Sequence, residues 1–463
     1  MFSITRTRPA WAAALILLLS GALAGAGCNR STPEGHTAQA PAAAATAGPA
    51  SAAGAPTVAH SPGGTSPTQP GSRPESAAES AARSAVPFDH GAQAFATVRD
   101  TLRSQYHRAD LTDDELYRAA VAGMLQLLEP QLSAWNKLIT PEELRDMRAD
   151  LQGAIVGIGV EIRFDDDSGI SDVLGVIPGS PAARAGIRQG DKILTVGGKL
   201  YQGKSLRDVV GDLRGQPGQD VAITTLRGGQ VLSFQIRRER VSYDVVQTLT
   251  LPDGIGYLYI RQFSDRTADA VAAALTTLQA AHARALVIDL RGNQGGLFDK
   301  ALATAELFLR AGTPIVTVRG RGEHRETMVS HRSGPVPALP IAILVDHDTA
   351  SSGELLTGAL HEGAAATVIG QRTFGKGTIQ RLEELGNGYA YKFTTSHFVL
   401  PGGQPIEGQG VTPDVEVALS VPPSSDYERH LSRVQRTVDP TERLRLDAPL
   451  RAAVQIVRMQ ARK

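Results

Sequence analysis

From about residue 255 the chain alternates apolar runs of strand length with helical patterns, and this alternation limits the possible folds more than any other feature. The four apolar runs are GIGYLYIRQF, ALVIDLRG, IAILVDH and ATVIGQR. They are continuously apolar, which is typical of strands that are buried on both faces. A last helix is predicted from Thr441 to Gln460. We therefore predict an α/β domain at residues 239–420, followed by a helical C-terminal segment at residues 421–463.

Residues 153–238 differ in character, with short β runs separated by Gly, Asp and Pro and one helical pattern, KSLRDVVGDLRG. The stretch GSPAARAGIRQGDKILTVGGK within it resembles the central part of PDZ domains. This resemblance implies that an incoming peptide pairs with a strand edge, and that a glycine turn holds its terminal carboxylate. The turn is predicted at Gly157, Ile158 and Gly159, and the apolar pocket at Ile158, Val160, Leu206, Val210 and Leu213. The alternative is a structural β domain without a ligand.

The N-terminus has two arginines, then an apolar run, then small residues that end at Cys28, the only cysteine in the chain. This order predicts a signal peptide at residues 1–27 and an exported protein of the periplasm or cell envelope. The position of Cys28 resembles the lipobox of bacterial lipoproteins and implies a lipid anchor in the membrane, although Gly25 stands where leucine is usual. An ordinary cleaved signal peptide and an uncleaved anchor are the alternatives.

Residues 28–86 consist mainly of Ala, Pro, Gly, Ser and Thr, and bury too little apolar surface to fold, so we predict a disordered tether. Residues 87–152 are predicted to be helical.

Lys+Arg and Asp+Glu are equal at 47 each, which gives no basis for nucleic-acid binding. His324 and His331 lack the spacing of metal ligands, and we expect neither a metal nor a cofactor.

Two residues of the α/β domain carry candidate chemistry. Lys376 stands between two glycines, a poor arrangement for a solvated lysine but a suitable one for a tight turn that carries an amine inward. Burial would lower the pKa of that amine from about 10.4 and make it a usable base. Ser351 is predicted near the first turn of a helix, where unpaired N–H groups and the helix dipole favour anions. Ser351 could equally be a helix cap, a role for which Thr349 and Ser352 compete.

Four motifs occur in order, LVIDLRGNQGGLFDKALATAELF, TASSGE, TFGKGTIQ and PGGQPIEGQGVTPDV. Together they resemble the carboxyl-terminal processing peptidases, also called tail-specific proteases, from about Gly123 to the C-terminus. The resemblance implies a β/α protease core of crotonase-like type with an inserted PDZ domain. This sequence departs from the family pattern at Gly292, Gln294 and Gly353, and at LEPQL, residues 128–132.

By this resemblance, Ser351 is the nucleophile, Lys376 the general base and Gln380 its supporting residue. The backbone N–H groups of Gly296 and Ser352 are implied as the oxyanion donors. The implied protein is a serine endopeptidase that captures the C-termini of protein or peptide substrates and cleaves near them. Assembly into a homo-oligomer is left open.

Three alternatives stand beside this interpretation. His347 could serve a Ser-His-Asp triad, but adjacent Asp and His side chains point in different directions, and triads usually combine separate loops. The chain could be a non-catalytic, lipid-tethered peptide-binding scaffold on a protease fold. The β/α core could also handle acyl-CoA thioesters.

Overall fold

The computed structural model describes residues 90–128, 135–165, 168–335, 339–421 and 427–462. The predicted signal peptide, Cys28, the tether and most of LEPQL lie outside these residues. Within them, no helix is both long enough and apolar enough to cross a membrane. The chain divides into two compact units between Leu116 and Tyr117. The described residues begin with two helices, α1 (Gly91–Gln105) and α2 (Asp113–Gln126), and the division falls within α2.

A six-stranded sheet forms the centre of the second unit, in the order β18-β15-β14-β11-β10-β9. Its strands are β9 (Val246–Leu251), β10 (Ile255–Ile260), β11 (Ala285–Asp289), β14 (Ile341–Val345), β15 (Thr367–Gly370) and β18 (Val415–Glu416). All neighbours are parallel except β9 and β10. The four predicted apolar runs became β10, β11, β14 and β15, and the predicted α/β class is confirmed.

Helices cover both faces of this sheet, because its continuously apolar strands present hydrophobic side chains on both faces. One face contacts α6 (Thr267–Ala280), α7 (Phe298–Glu306) and α8 (Ser352–Ala364). The other face contacts α11 (Ala448–Gln460), whose Leu450, Ala453 and Val457 are fully buried. The C-terminal helix is therefore part of the α/β domain and is not an appendage.

A second, antiparallel sheet was not predicted from the sequence. It runs β1-β17-β12-β13, and β16 pairs with β17. Its strands are β1 (Lys137–Ile139), β12 (Pro314–Arg319), β13 (Arg325–Val329), β16 (Thr378–Glu384) and β17 (Ala390–Val399). Helix α3 (Pro141–Leu151) follows β1 and packs its Leu144 and Met147 against Ile139. This sheet carries Gln380 on β16, next to the loop that holds Lys376.

The PDZ region is a separate five-stranded antiparallel sheet with its own core. Its strands are β3 (Val160–Asp165), β4 (Ile170–Val176), β5 (Lys192–Val196), β6 (Asp220–Arg227) and β7 (Gln230–Arg237), in that order. Two helices pack with it, α4 (Pro181–Ala185) and α5 (Leu206–Leu213). Two further strands, β2 (Ala154–Gly157) and β8 (Glu239–Ser242), pair where the chain enters and leaves the region.

The C-terminal segment corrects one prediction. In place of a single helix from Thr441 to Gln460, the structure has α10 (Pro440–Leu446) and then α11, with α9 (Tyr427–Arg436) before them. The break lies at Asp447, whose carboxylate accepts the Leu450 N–H at 3.0 Å and so caps α11. The same carboxylate binds Arg291, which follows β11 of the central sheet, and this long-range contact was not visible in the local helical pattern.

Candidate active site

Ser351 lies at the end of the loop that follows β14, immediately before α8. Its side chain is buried, and its backbone has φ 53° and ψ −113°, a sparsely populated conformation for a residue with a side chain. Such strain persists only where the surroundings enforce it, and it concentrates at functional sites. The loop after β11 reaches the same place, because the carboxyl ends of adjacent parallel strands share one edge of the sheet.

Glu354, one helical turn into α8, connects the two candidate catalytic residues. Its Oε2 accepts the backbone N–H of Ser351 at 2.7 Å and the backbone N–H of Lys376 at 2.8 Å. Its Oε1 accepts the Gly375 N–H at 2.7 Å and the Thr373 hydroxyl at 2.5 Å. Burial raises the pKa of this carboxyl, and the four hydrogen bonds oppose that shift. One buried carboxyl therefore sets the spacing between the loop of Ser351 and the loop of Lys376.

The Lys376 amine is held inside the protein. Gly375 has φ 90°, and a Cβ there would lie 2.7 Å from the Gly410 nitrogen, so only glycine fits this turn. The lysine side chain is 1 % exposed. Burial, together with the nearby positive charge of Lys392, lowers the pKa of the Lys376 amine to about 7. An amine with this pKa is largely uncharged at mildly alkaline pH and can accept a proton.

Gln380 lies on β16, four residues after Lys376, a spacing that a straight strand does not bring into contact. The β16–β17 register shifts between Ile379 and Gln380, which marks a bulge. A bulge redirects a side chain, and here the Lys376 Nζ donates to the Gln380 Oε1 at 2.9 Å. The Gln380 amide group donates in turn to the Thr378 hydroxyl at 2.8 Å. The structure thus brings the predicted pair together.

In the described residues the Lys376 amine donates to Gln380 and to the Thr378 carbonyl at 3.3 Å, and not to the Ser351 hydroxyl. Catalytic hydrogen bonds are often long or poorly aligned before substrate binds. The indole ring of Trp135 covers the same amine, with its centroid 4.7 Å from Nζ. The second buried lysine, Lys392, has its Nζ 5.9 Å from that centroid.

The predicted oxyanion donors lie side by side. The Ser352 hydroxyl donates to the Gly296 carbonyl at 3.1 Å. Gly296 has φ 136°, and a Cβ there would lie 2.1 Å from the Phe263 carbonyl oxygen, so the chain requires glycine at this position. Within the described chain, neither the Gly296 N–H nor the Ser352 N–H donates a hydrogen bond, so both are available to an incoming oxygen.

Buried charges fix the loop that carries Gly296. Arg291, at its start, is 1 % exposed and binds Asp289 and Asp447 through paired hydrogen bonds of 2.6–2.9 Å. Gly292, one of the departures from the family pattern, donates its N–H to the Asp346 carboxylate at 3.0 Å. The Tyr427 hydroxyl of α9 donates to that carboxylate at 2.8 Å. The C-terminal helices therefore brace this loop.

All seven residues predicted for the PDZ ligand site line one cavity of about 670 Å³. They are Gly157, Ile158, Gly159, Val160, Leu206, Val210 and Leu213. The cavity extends beyond the PDZ region to Gln294 and Gly295 of the loop that carries Gly296, which we call the glycine loop. Gln435 and Arg436 of α9 also line the cavity. The apolar groove of the PDZ region and the loop of Gly296 therefore border the same space.

His347 does not join this arrangement. Its imidazole is more than half exposed, and it contacts the Asp348 carboxylate at 3.4 Å and the Tyr427 ring at 5.0 Å. No cluster of His, Cys, Asp and Glu among the described residues has the geometry of a metal site.

Sequence reasoning missed Glu354, Lys392, Trp135, Arg291 and Asp447. A signal existed for Glu354, since Ser351 and Glu354 have the Ser-x-x-Glu spacing of a capping box. Lys392 and Trp135 had none, because their burial depends on segments that are far apart in the sequence.

A model described as peptidase family S41 matches residues 254–417, and a PDZ domain model matches residues 173–227. The chain is 33% identical over 336 residues to the carboxy-terminal-processing protease of Bartonella bacilliformis, covering 71% of this chain and 75% of that protein. It is 30% identical over 321 residues to the carboxy-terminal processing protease CtpA of Bacillus subtilis, covering 69% of this chain and 67% of that protein.

Similarity extends to further proteins. Probable CtpA-like serine proteases of Staphylococcus aureus are 33% identical over 322 residues, and the chain spans 63% of their length. Among solved structures, the photosystem II D1 C-terminal processing protease is 29% identical with a TM-score of 0.48. That match covers 79% of this chain and 97% of the other.

Proposed function

This chain belongs to peptidase family S41 and is a serine peptidase, and from that premise we propose that it cleaves protein substrates near their C-termini with Ser351 as nucleophile and Lys376 as general base. The observation that carries the proposal is the environment of Lys376. Its amine is buried beside a neutral partner, Gln380. The backbone N–H groups of Lys376 and Ser351 both donate to the same oxygen of Glu354.

The chemistry begins with the uncharged amine. Lys376 Nζ takes the proton of the Ser351 hydroxyl while Oγ attacks the carbonyl carbon of the scissile peptide bond. The N–H groups of Gly296 and Ser352 stabilise the resulting oxyanion. The C–N bond then breaks, and the Lys376 ammonium returns its proton to the leaving amine. Water attacks the acyl-enzyme in the same way, and Lys376 again takes and returns the proton.

Gln380 orients the amine and favours its charged form less than a carboxylate would. A carboxylate at 2.9 Å would stabilise the ammonium and raise the pKa of Lys376, whereas an amide oxygen accepts the hydrogen bond with less effect on charge. Because the amine donates to Gln380 and Thr378 before substrate binds, it must turn toward the Ser351 hydroxyl for proton transfer. The flexible side chain of lysine permits that rotation.

The PDZ region supplies substrate capture in this proposal. A substrate tail adds to the strand edge at β3, its last side chain enters the apolar groove, and the Gly157–Gly159 turn holds the carboxylate. The shared cavity supports this order of events, because its lining runs from the PDZ groove to the glycine loop beside Ser352. In this proposal a captured tail extends from the PDZ groove toward the loop of Gly296.

Export and membrane anchoring are also part of the proposal. They rest on the basic residues, the apolar run and Cys28 at the N-terminus. Mass spectrometry of the mature N-terminus tests them. Acylation at Cys28 is expected, and a free thiol or cleavage beyond Cys28 would contradict it.

The experiment that tests the function is proteolysis of an unstructured protein by the full chain and by three variants, Ser351→Ala, Lys376→Ala and the double variant. Each single variant should lose nearly all activity, and the double variant should lose little more, because the two residues act as one unit. Substantial cleavage by Lys376→Ala would overturn the assignment of the base.

A further inference from the structure

Lys392 is a second fully buried lysine beside the active site. It lies on β17, which also pairs with β16 and so flanks Gln380. Its side chain is 1 % exposed, although lysine is almost never buried to this extent without a partner. The mechanism above gives it no role.

The amines of Lys392 and Lys376 face one aromatic ring. Their Nζ atoms lie 5.9 and 4.7 Å from the centroid of Trp135. The indole ring occupies space that water would otherwise fill, so repulsion between the two amines is weakly screened. The charge of Lys392 therefore acts on the Lys376 amine.

The other charges around Lys392 do not neutralise it. Lys137 is its neighbour in the β1–β17 register and adds a like charge. Glu143 of α3 is the nearby carboxylate, but it binds the Lys137 amine at 3.3 Å and also the guanidinium of Arg207 from the PDZ helix. Two other cations thus share the carboxylate that Lys392 would need. Two carboxylates lie near Lys376. Glu354 accepts backbone N–H groups, including that of Lys376, and Glu407 accepts the Gly377 N–H.

We propose that Lys392 is a positioning residue that acts through Lys376, its buried ammonium disfavouring the charged form of the Lys376 amine. This inference rests on the proposed function, in which Lys376 is the general base. Two like charges in one buried site resist joint ionisation, and the proton leaves the more strongly disfavoured amine first.

The order of deprotonation agrees with this role. Burial and the charge of Lys392 lower the pKa of Lys376 to about 7. Burial and the charge of Lys137 lower the pKa of Lys392 to about 8. Lys392 is thus still mostly charged in the pH range where Lys376 loses its proton.

The kinetic test uses the full chain and measures kcat/KM from pH 5.5 to 10 for Lys392→Met and Lys392→Arg. Methionine keeps the apolar stem and removes the charge, whereas arginine keeps the charge. In Lys392→Met the acidic limb of the kcat/KM profile should move up by about one pH unit, because the charge that lowers the pKa of Lys376 is gone. Activity should be about tenfold lower at pH 6.5 and should recover at high pH. In Lys392→Arg the limb should stay in place or move down. An unshifted limb in Lys392→Met, including an equal loss at every pH, would overturn the proposal.

A second measurement does not depend on activity or on any change at Lys392. In Ser351→Ala labelled with ¹⁵N-lysine, NMR follows the side-chain nitrogen of Lys376 through pH. Its titration should show a second inflection where Lys392 deprotonates, and a single independent step would overturn the proposal. Failure of the proposed function looks different, because Lys376→Ala would then keep its activity whatever the NMR titration shows.

Discussion

The amine of Lys376 donates a 2.9 Å hydrogen bond to the side-chain oxygen of Gln380 across a bulge at the start of β16. The contact joins a buried amine to a neutral acceptor. Replacing that acceptor by a carboxylate of equal size therefore tests whether neutrality is what the site requires.

Gln380→Glu should raise the pKa of Lys376 by about two units, because an opposite charge at hydrogen-bonding distance favours the ammonium. We expect kcat/KM at pH 7 to fall about fiftyfold and to recover toward pH 10. Gln380→Met removes the hydrogen bond without adding charge and should lower kcat/KM without this pH-dependent recovery. A Gln380→Glu enzyme with the wild-type pH profile would disprove the role assigned to Gln380.

Glu354→Gln should lower kcat/KM by about a hundredfold or more, because an amide cannot accept all four hydrogen bonds that position the loops of Ser351 and Lys376. The loss should persist at all pH values, since the negative charge of Glu354 raises the pKa of Lys376 and its removal cannot hinder deprotonation. Glu362→Gln, on the exposed side of the same helix, is the matched control and should behave as wild type. Equal activity of the two variants would contradict the positioning role.

Asp447→Asn should reduce the free energy of unfolding by about 3–5 kcal/mol, because it leaves Arg291 buried with one of its two carboxylates removed. Urea denaturation measures this change. The exposed pair of Glu442 and Arg445 provides the control, and Glu442→Gln should leave the free energy of unfolding nearly unchanged, because solvent screens an exposed ion pair. A similar small effect in Asp447→Asn would show that the C-terminal helices do not brace the glycine loop.

Amidating the C-terminus of a peptide substrate should raise KM about ten- to a hundredfold, because charge-assisted hydrogen bonds to the free carboxylate contribute about 1.5–3 kcal/mol. Leu206→Glu, in the cavity lining, should raise KM for the free acid. Leu200→Glu, at an exposed leucine outside that lining, is the control and should have no such effect. Equal cleavage of acid and amide by the wild-type chain would show that the groove does not recognise tails.

The central sheet could be predicted from the sequence because its strands are uniformly apolar. Such a pattern can be recognised without knowing which other strands or helices each strand contacts. The antiparallel sheet was missed because TIQRLEE and AYKFTTSHFV mix polar and apolar residues, and only their tertiary neighbours decide which side chains are buried. Lys392 illustrates this. In the sequence it resembles a surface lysine, whereas in the structure β1 and Trp135 cover it.

The Gly-Lys-Gly turn pointed to an inward amine from local conformational rules alone. The Lys376–Gln380 contact did not follow from spacing, because it depends on a bulge that pairing with β17 creates. The helix break at Asp447 was missed for a similar reason, since Asp447 binds Arg291, a residue 156 positions earlier in the sequence.

The most direct test of the account is the pH dependence of acylation by the wild-type enzyme, measured as single-turnover kcat/KM with chemistry rate-limiting. Because only uncharged Lys376 can accept the Ser351 proton, the rate should rise about tenfold per pH unit below a pKa of about 7 and level off above it. Lys376→Ala should show no such limb. A wild-type rate that stays constant from pH 5.5 to 9 would contradict the claim that a buried, uncharged lysine is the general base.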